Sequence, residues 1–193
     1  MKNSKIRFGV IGAGHIGTYH IQQLCRMVDV EFVGLFDINK QSVKSIEPTN
    51  GLTFYSSLSS LLENCDAVSI ATPAISHCSV ALSCLKAGCH VFIEKPLASN
   101  LEETQQIIAL AKQTGCFLQV GHIERFNPAI TSFLNHRSCV PVFIEALRLT
   151  SFSERGADID VVLDLMIHDI DLVLFLIGST IKNIRANGIK IIT

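Results

Sequence analysis

Residues 6–17 read IRFGVIGAGHIG, and this stretch decides the fold. IRFGVI is a short apolar run of the kind that forms a buried strand, and a helical pattern follows over roughly 15–28. Between them Gly12, Gly14 and Gly17 make a GxGxxG turn. The first glycine lets the chain turn sharply. The second lets backbone approach a pyrophosphate, and the third lets helix and strand pack closely. His15 and Ile16 complete the turn and open the helix, whose free amides and dipole favour an anion.

A second strand, VEFVGLFD, ends at Asp37, twenty residues beyond Gly17. A carboxylate there accepts hydrogen bonds from an adenosine ribose diol and repels a 2′-phosphate, which favours NAD over NADP. An S-adenosylmethionine site also uses a glycine turn and a ribose-binding acid, but the spacing suits a dinucleotide better.

Further along, LTFY (52–55) reads as a weak third strand, AVSIAT as a fourth, HVFIEKP as a fifth and CFLQVG as a sixth. Helical patterns lie between them, at SSLSSLLENC, SHCSVALSCLKAG and LEETQQIIALAKQTG, and the middle of NKQSVKSIEPTNG also reads as helical. Strands alternating with helices of this length predict an α/β fold, a Rossmann dinucleotide-binding domain with a doubly wound parallel sheet. This domain is expected over 1–122.

Residues 123–193 change character and predict the start of an incomplete α+β substrate domain. NPAITSFLNH reads as a connecting helix, VPVFIEALRLT as a longer strand and SFSERGADID as a polar loop. A long helix follows from about Val161 to Leu176, then the strand-like TIKNIRANGIKII. So few strands leave an apolar face or a bare edge, which predicts a truncated domain or one completed by a partner, a homo-oligomer through this sheet among them.

Composition narrows the function classes. Hydrophobic residues are 48 % of the 193, charged residues 17 %, and the formal charge is -1. That suits a packed core and provides no broad cationic surface, so no nucleic-acid partner is expected. The seven cysteines contain no CxxC pair, which fits buried reduced thiols and a cytoplasmic location. No uninterrupted apolar run reaches the ~18 residues of a membrane span.

Polar residues at strand ends supply the chemistry. Thr72 and Pro73 follow the fourth strand, where parallel sheets form their ligand crevice, and His77 lies just beyond as a cap, a polar surface residue or a cofactor contact. Glu94, Lys95 and Pro96 end the fifth strand. Lys95 there can hydrogen-bond a substrate hydroxyl and stabilise developing oxygen charge, with Glu94 holding it in place; the alternative is a solvated Glu–Lys pair. GHIERFNP brings Arg125 and Asn127 to the domain junction. Arg125 suits a substrate carboxylate or phosphate, or an Arg–Glu pair that ties a hinge.

In DLMIHDID, Asp164 and His168 are expected to share a helical face with Asp171, while Asp169 points elsewhere and Val162, Leu165, Met166, Ile170, Val173 and Leu174 pack as core. A neutral His168 can take a proton from an alcohol, and Asp164 can raise its basicity or place the substrate. Too few ligands cluster here for zinc, so no metal is expected.

Taken together, the glycine turn, ATPAISHCSVALSCLKAGCHVFIEKPLA and the DxxxH helix resemble the glucose-fructose oxidoreductase and inositol dehydrogenase (Gfo/Idh/MocA) family over almost the whole chain. The resemblance implies an NAD(P)-dependent dehydrogenase acting on CH–OH groups, with Lys95, Asp164 and His168 at the reacting hydroxyl. GHIERFNPA and VVLDLMIHDIDLV look like the branch that oxidises the 3-hydroxyl of UDP-N-acetylglucosamine or a related uronate, in surface-sugar and lipopolysaccharide biosynthesis. A nucleotide sugar is then the expected substrate. A sugar reductase, a dehydrogenase of another sugar or polyol, and a catalytically impaired NAD-binding fragment or interaction module are the alternatives.

Overall fold

A computed structural model of the chain describes residues 5–39, 52–149 and 160–189. They fall into two compact units, Met1–Gly121 and His122–Thr193.

The first unit is built on β1 (Ile6–Ile11), β2 (Val30–Phe36), β3 (Ala67–Ile70), β4 (His90–Ile93) and β5 (Leu118–Val120). All pair in parallel, in the order β2-β1-β3-β4-β5. Parallel neighbours need crossovers, and α1 (His15–Leu24), α2 (Leu58–Leu62), α3 (Ala74–Lys86) and α4 (Leu101–Thr114) supply them.

Strand alternation sorts the core onto two faces. Val10 packs with Ile21 and Leu24 of α1 and with Leu35. Its neighbour Ile11 joins Val68, Ile70, Val91 and Ile93 against α2, α3 and α4. Both faces are covered, the condition for an all-parallel sheet. The helix ends are chemically marked. Ser57 caps α2 and exchanges hydrogen bonds with Ser60. Asn100 accepts from the Glu103 amide at the start of α4, and Gly115 closes it in the left-handed conformation.

LTFY does not form a third strand. Phe54 makes a single parallel bridge to Leu35, with Leu35 N–H donating to Thr53 O and Tyr55 N–H to Leu35 O. Leu52 and Phe54 are held by the α1-side cluster rather than by a ladder. Among the described residues the sheet therefore has five strands where six were expected. The helical stretch read in NKQSVKSIEPTNG falls almost wholly outside the described residues, as do the polar loop after Thr150 and the last residues of the chain.

The second unit contains a 3-10 turn (Ile123–Phe126), α5 (Pro128–His136), a π-helical turn (Val162–Met166) and α6 (Ile167–Ile177). Asp160 opens the π turn by accepting the Leu163 amide, and Gly178 ends α6. The strands read at 140–150 and after Gly178 are absent among the described residues. Among the described residues those segments have no ladder partner, and Phe143, Leu147, Leu149 and Ile184 are exposed. Alternating apolar residues set β propensity, but ladder hydrogen bonds make a strand. Of the expected core positions, Val162, Met166, Ile170 and Leu174 are likewise exposed, while Leu165 and Val173 are half-buried. Among the described residues no helix is long and apolar enough to cross a membrane.

Candidate functional site

In an open parallel sheet the ligand crevice lies outside the carboxyl ends of the strands, where the strand order reverses. Here that point is between β1 and β3. The chain leaves β1 at Gly12, with φ of 92°, and a Cβ there would stand 2.6 Å from the Ala71 carbonyl oxygen. Gly17 is tighter still, since a Cβ would fall 1.9 Å from Gly12 O. Gly14 is the opposite case, with nothing within 4 Å of its Cβ position. Two glycines close the turn and the third leaves open space at the helix start. That start has no side-chain cap and no acid in its first turn. It retains donors for an anion. His15 and Ile16 sit there exposed, His15 edge-on to Tyr19.

Asp37 is fastened to this turn. Its Oδ2 accepts from Ala13 N–H at 2.6 Å and its Oδ1 from Asn39 N–H at 2.7 Å. Each carboxylate oxygen keeps a further lone pair for a ribose diol. A cleft of about 360 Å³ lies between Gly12, Gly14, Asp37, Thr72 and Pro73. The glycine cradle, the open position at Gly14 and the acid beside it fit a dinucleotide.

Thr72 and Pro73 open α3, with the Ser76 hydroxyl 2.8 Å from Thr72 Oγ1. His77 is 1 % exposed, so it is neither a cap nor a surface residue. Its Nδ1 lies 2.7 Å from Pro96 O and its Nε2 2.9 Å from Thr72 O. It joins the loops after β3 and β4 behind the cleft, and its ring nitrogens are engaged there by backbone. Both acceptors are carbonyls, and a neutral imidazole can donate to one of them at a time.

Glu94 is half-buried and meets α1. Its Oε1 lies 3.0 Å from Nε2 of His20 on α1, whose Nδ1 is 2.7 Å from Ser69 Oγ. Sequence reading missed His20 and Ser69. The signal was present: Gly17, Ile21 and Leu24 form the buried stripe of α1, and His20 sits at the same spacing.

In the second unit Arg125 is paired with an acid of α6. Its Nε donates to Asp171 Oδ2 at 2.7 Å and its Nη2 to Oδ1, while the guanidinium lies over the Phe175 ring. The pair is Arg–Asp, not the Arg–Glu pair weighed from sequence. Asp171 raises the Arg125 guanidinium pKa through this hydrogen bond. Asp171 is therefore spoken for within its own unit, with His122 Nδ1 3.8 Å away. Asn127 caps α5, its Oδ1 accepting from Ala129 N–H and its Nδ2 donating to Glu124. Asp169 pairs with Arg148 through two 2.8 Å hydrogen bonds, which hold its carboxyl below the usual carboxylate range. Asp164 lies in the π turn and His168 in the first turn of α6. Lys95 belongs to the first unit, at the end of β4. Among the described residues no group of His, Cys, Asp and Glu is arranged to hold a metal ion.

The oxidoreductase family with an NAD-binding Rossmann fold matches residues 6–122. The UDP-N-acetylglucosamine 3-dehydrogenase of Acidithiobacillus ferrooxidans is 38 % identical over 97 % of this chain. Its solved structure superposes with a TM-score of 0.89, covering 98 % of this chain and 62 % of that one. The myo-inositol 2-dehydrogenase of Thermotoga maritima is 28 % identical over 95 % of this chain and 58 % of its own length. The WlbA dehydrogenase of Bordetella pertussis, solved with NADH and UDP-GlcNAcA, is 34 % identical with a TM-score of 0.61, over 66 % of this chain and 41 % of that one. The chain thus spans about three fifths of the length of the first of these relatives. With the glycine cradle at the switch point and these likenesses together, the chain belongs to the Gfo/Idh/MocA oxidoreductase family, and its first unit carries that family's NAD-binding Rossmann fold.

Proposed function

We propose that the protein oxidises a ring hydroxyl of a nucleotide sugar with NAD, and that UDP-N-acetylglucosamine and its 3-keto form are the substrate and product. The observation that carries the cofactor half is Asp37 bonded to the Ala13 amide beside the open Gly14 position. The substrate half is supported by the 38 % identity to the Acidithiobacillus enzyme.

Bound NAD supplies the hydride acceptor. The chain's own residues do the rest. His168 accepts the hydroxyl proton as general base. Lys95 donates a hydrogen bond to the same oxygen and stabilises the charge it develops. Asp164 orients His168 or the sugar. Arg125 and Asn127, proposed from sequence as substrate contacts, are not carried forward. Their polar atoms already hold Asp171, Glu124 and the start of α5.

The test is absorbance at 340 nm with purified protein, NAD and a panel of UDP-sugars. NADH should form with UDP-N-acetylglucosamine, and His168→Ala should abolish it. Lys95→Ala should lower turnover far more than NAD affinity, because its proposed partner is the reacting oxygen. NAD binding without turnover on any UDP-sugar would refute the substrate assignment for this chain.

A further inference from the structure

Along β4 the side chains alternate. Val91 and Ile93 enter the core with α3 and α4. Phe92 and Glu94 face α1, and both meet His20, Phe92 through an edge contact with ring centroids 5.6 Å apart. Behind His20 stands the Ser69 hydroxyl, 2 % exposed on β3. The neutral tautomer with its proton on Nε2 satisfies both ring nitrogens of His20. Ser69 O–H donates to Nδ1, and Nε2–H donates to Glu94 Oε1. On its other side the Glu94 carboxylate lies close against Gly121. A Cβ there would come within 3.0 Å of Oε1 and 3.2 Å of Oε2. Gly121 N–H is itself fixed to Ile93 O at 2.8 Å.

Asp37 marks the adenosine end of a bound dinucleotide, at the β2 side of the glycine turn. A dinucleotide lying across the carboxyl edge then runs over β1 and β3 towards β4, where Glu94 stands. We propose that His20 is a positioning residue for the nicotinamide end of the cofactor: held by Ser69, it turns the Glu94 carboxylate so that its remaining lone pairs meet hydrogen-bond donors there. This rests on the cofactor reading above. It assigns a role to a half-buried residue of α1, one whose sequence position suggests only helix packing.

The test compares two ligands on the full chain, NADH and ADP-ribose, by calorimetry. ADP-ribose carries the adenosine and pyrophosphate but no nicotinamide. His20→Leu keeps bulk and removes the donor. It should raise the Kd for NADH about tenfold, the scale of one charge-assisted hydrogen bond, and move that for ADP-ribose less than about twofold. His20→Gln retains a donor and should hold NADH affinity within about threefold of the unsubstituted chain. Ser69→Ala leaves His20 in place without its orienting hydroxyl and should fall between. Unchanged NADH affinity in both His20→Leu and Ser69→Ala would overturn the proposal. Equal weakening of both ligands in both variants would also overturn it, since the residues would then support the fold as a whole. If the unsubstituted chain bound neither ligand, the cofactor reading itself would fall.

Discussion

Gly14 and Gly17 stand three residues apart in one motif and carry opposite constraints. A methyl group at Gly17 would meet Gly12 O at 1.9 Å, a backbone atom that cannot step aside without opening the turn. Gly17→Ala should therefore destabilise the fold by at least about 2 kcal/mol, read as a lower denaturation midpoint. A methyl group at Gly14 meets nothing within 4 Å. Gly14→Ala should cost at most about 1 kcal/mol of stability, the usual penalty of alanine at an N-cap, yet weaken NADH binding where the pyrophosphate approaches. Thermal melts and NADH titration of the two variants separate the roles. The motif itself was legible in sequence because glycine is required for steric reasons that act within a few residues. Asp37 was legible by its spacing from that motif at the end of the next strand, although its partner Ala13 lies 24 residues away. The role of His77 was not, because its two carbonyl partners come from different loops, one of them nineteen residues away.

At the scale of elements, the ion pairs of the second unit decide which acids are available. Asp171 is 8 % exposed, and its charge is tolerated because Arg125 meets it with two hydrogen bonds. Arg125→Ala would leave that carboxylate without its partner and should cost about 1–3 kcal/mol in chemical denaturation, whereas Asp171→Asn, which keeps a polar acceptor, should cost less. Arg148 and Asp169 tie the extended segment before residue 150 to α6. The folded protein holds the Asp169 carboxyl below its ordinary value, chiefly through the Arg148 hydrogen bond. That contribution is fully present above the unfolded value, about pH 4, and is lost as pH falls through the lower folded value. The acid limb of a stability–pH curve should consequently be shallower in Asp169→Asn. The pair is partly open to solvent, which screens it, so the difference should be small. Helical spacing had placed Asp171 on one strip with Asp164 and His168. Spacing identifies a shared face but not the partner that face meets, and here Arg125 takes Asp171.

Across the whole molecule the seven cysteines are free, and their surroundings divide them. Cys65, Cys84 and Cys89 are buried within the core on the α2–α4 face. Burial pushes the Cys65 thiol up to about 12 and Cys84 higher still. Cys25 and Cys139 are exposed, although burial raises Cys25 somewhat. Iodoacetamide at pH 8 should therefore label Cys139 first. Cys65 and Cys84 should remain protected until denaturant unfolds the first unit, which peptide mapping would show; early labelling of Cys65 would contradict the packing. The α/β class, the parallel sheet and the glycine turn followed from sequence by itself, since hydrophobic periodicity and steric need are properties of short segments. The missing third strand, the unladdered segments around residues 140–149 and 179–189, and the pairing of Ser69, His20 and Glu94 were decided by tertiary structure. A ladder and a hydrogen-bond chain each need a second segment in register, and which segment arrives is settled only when the chain packs.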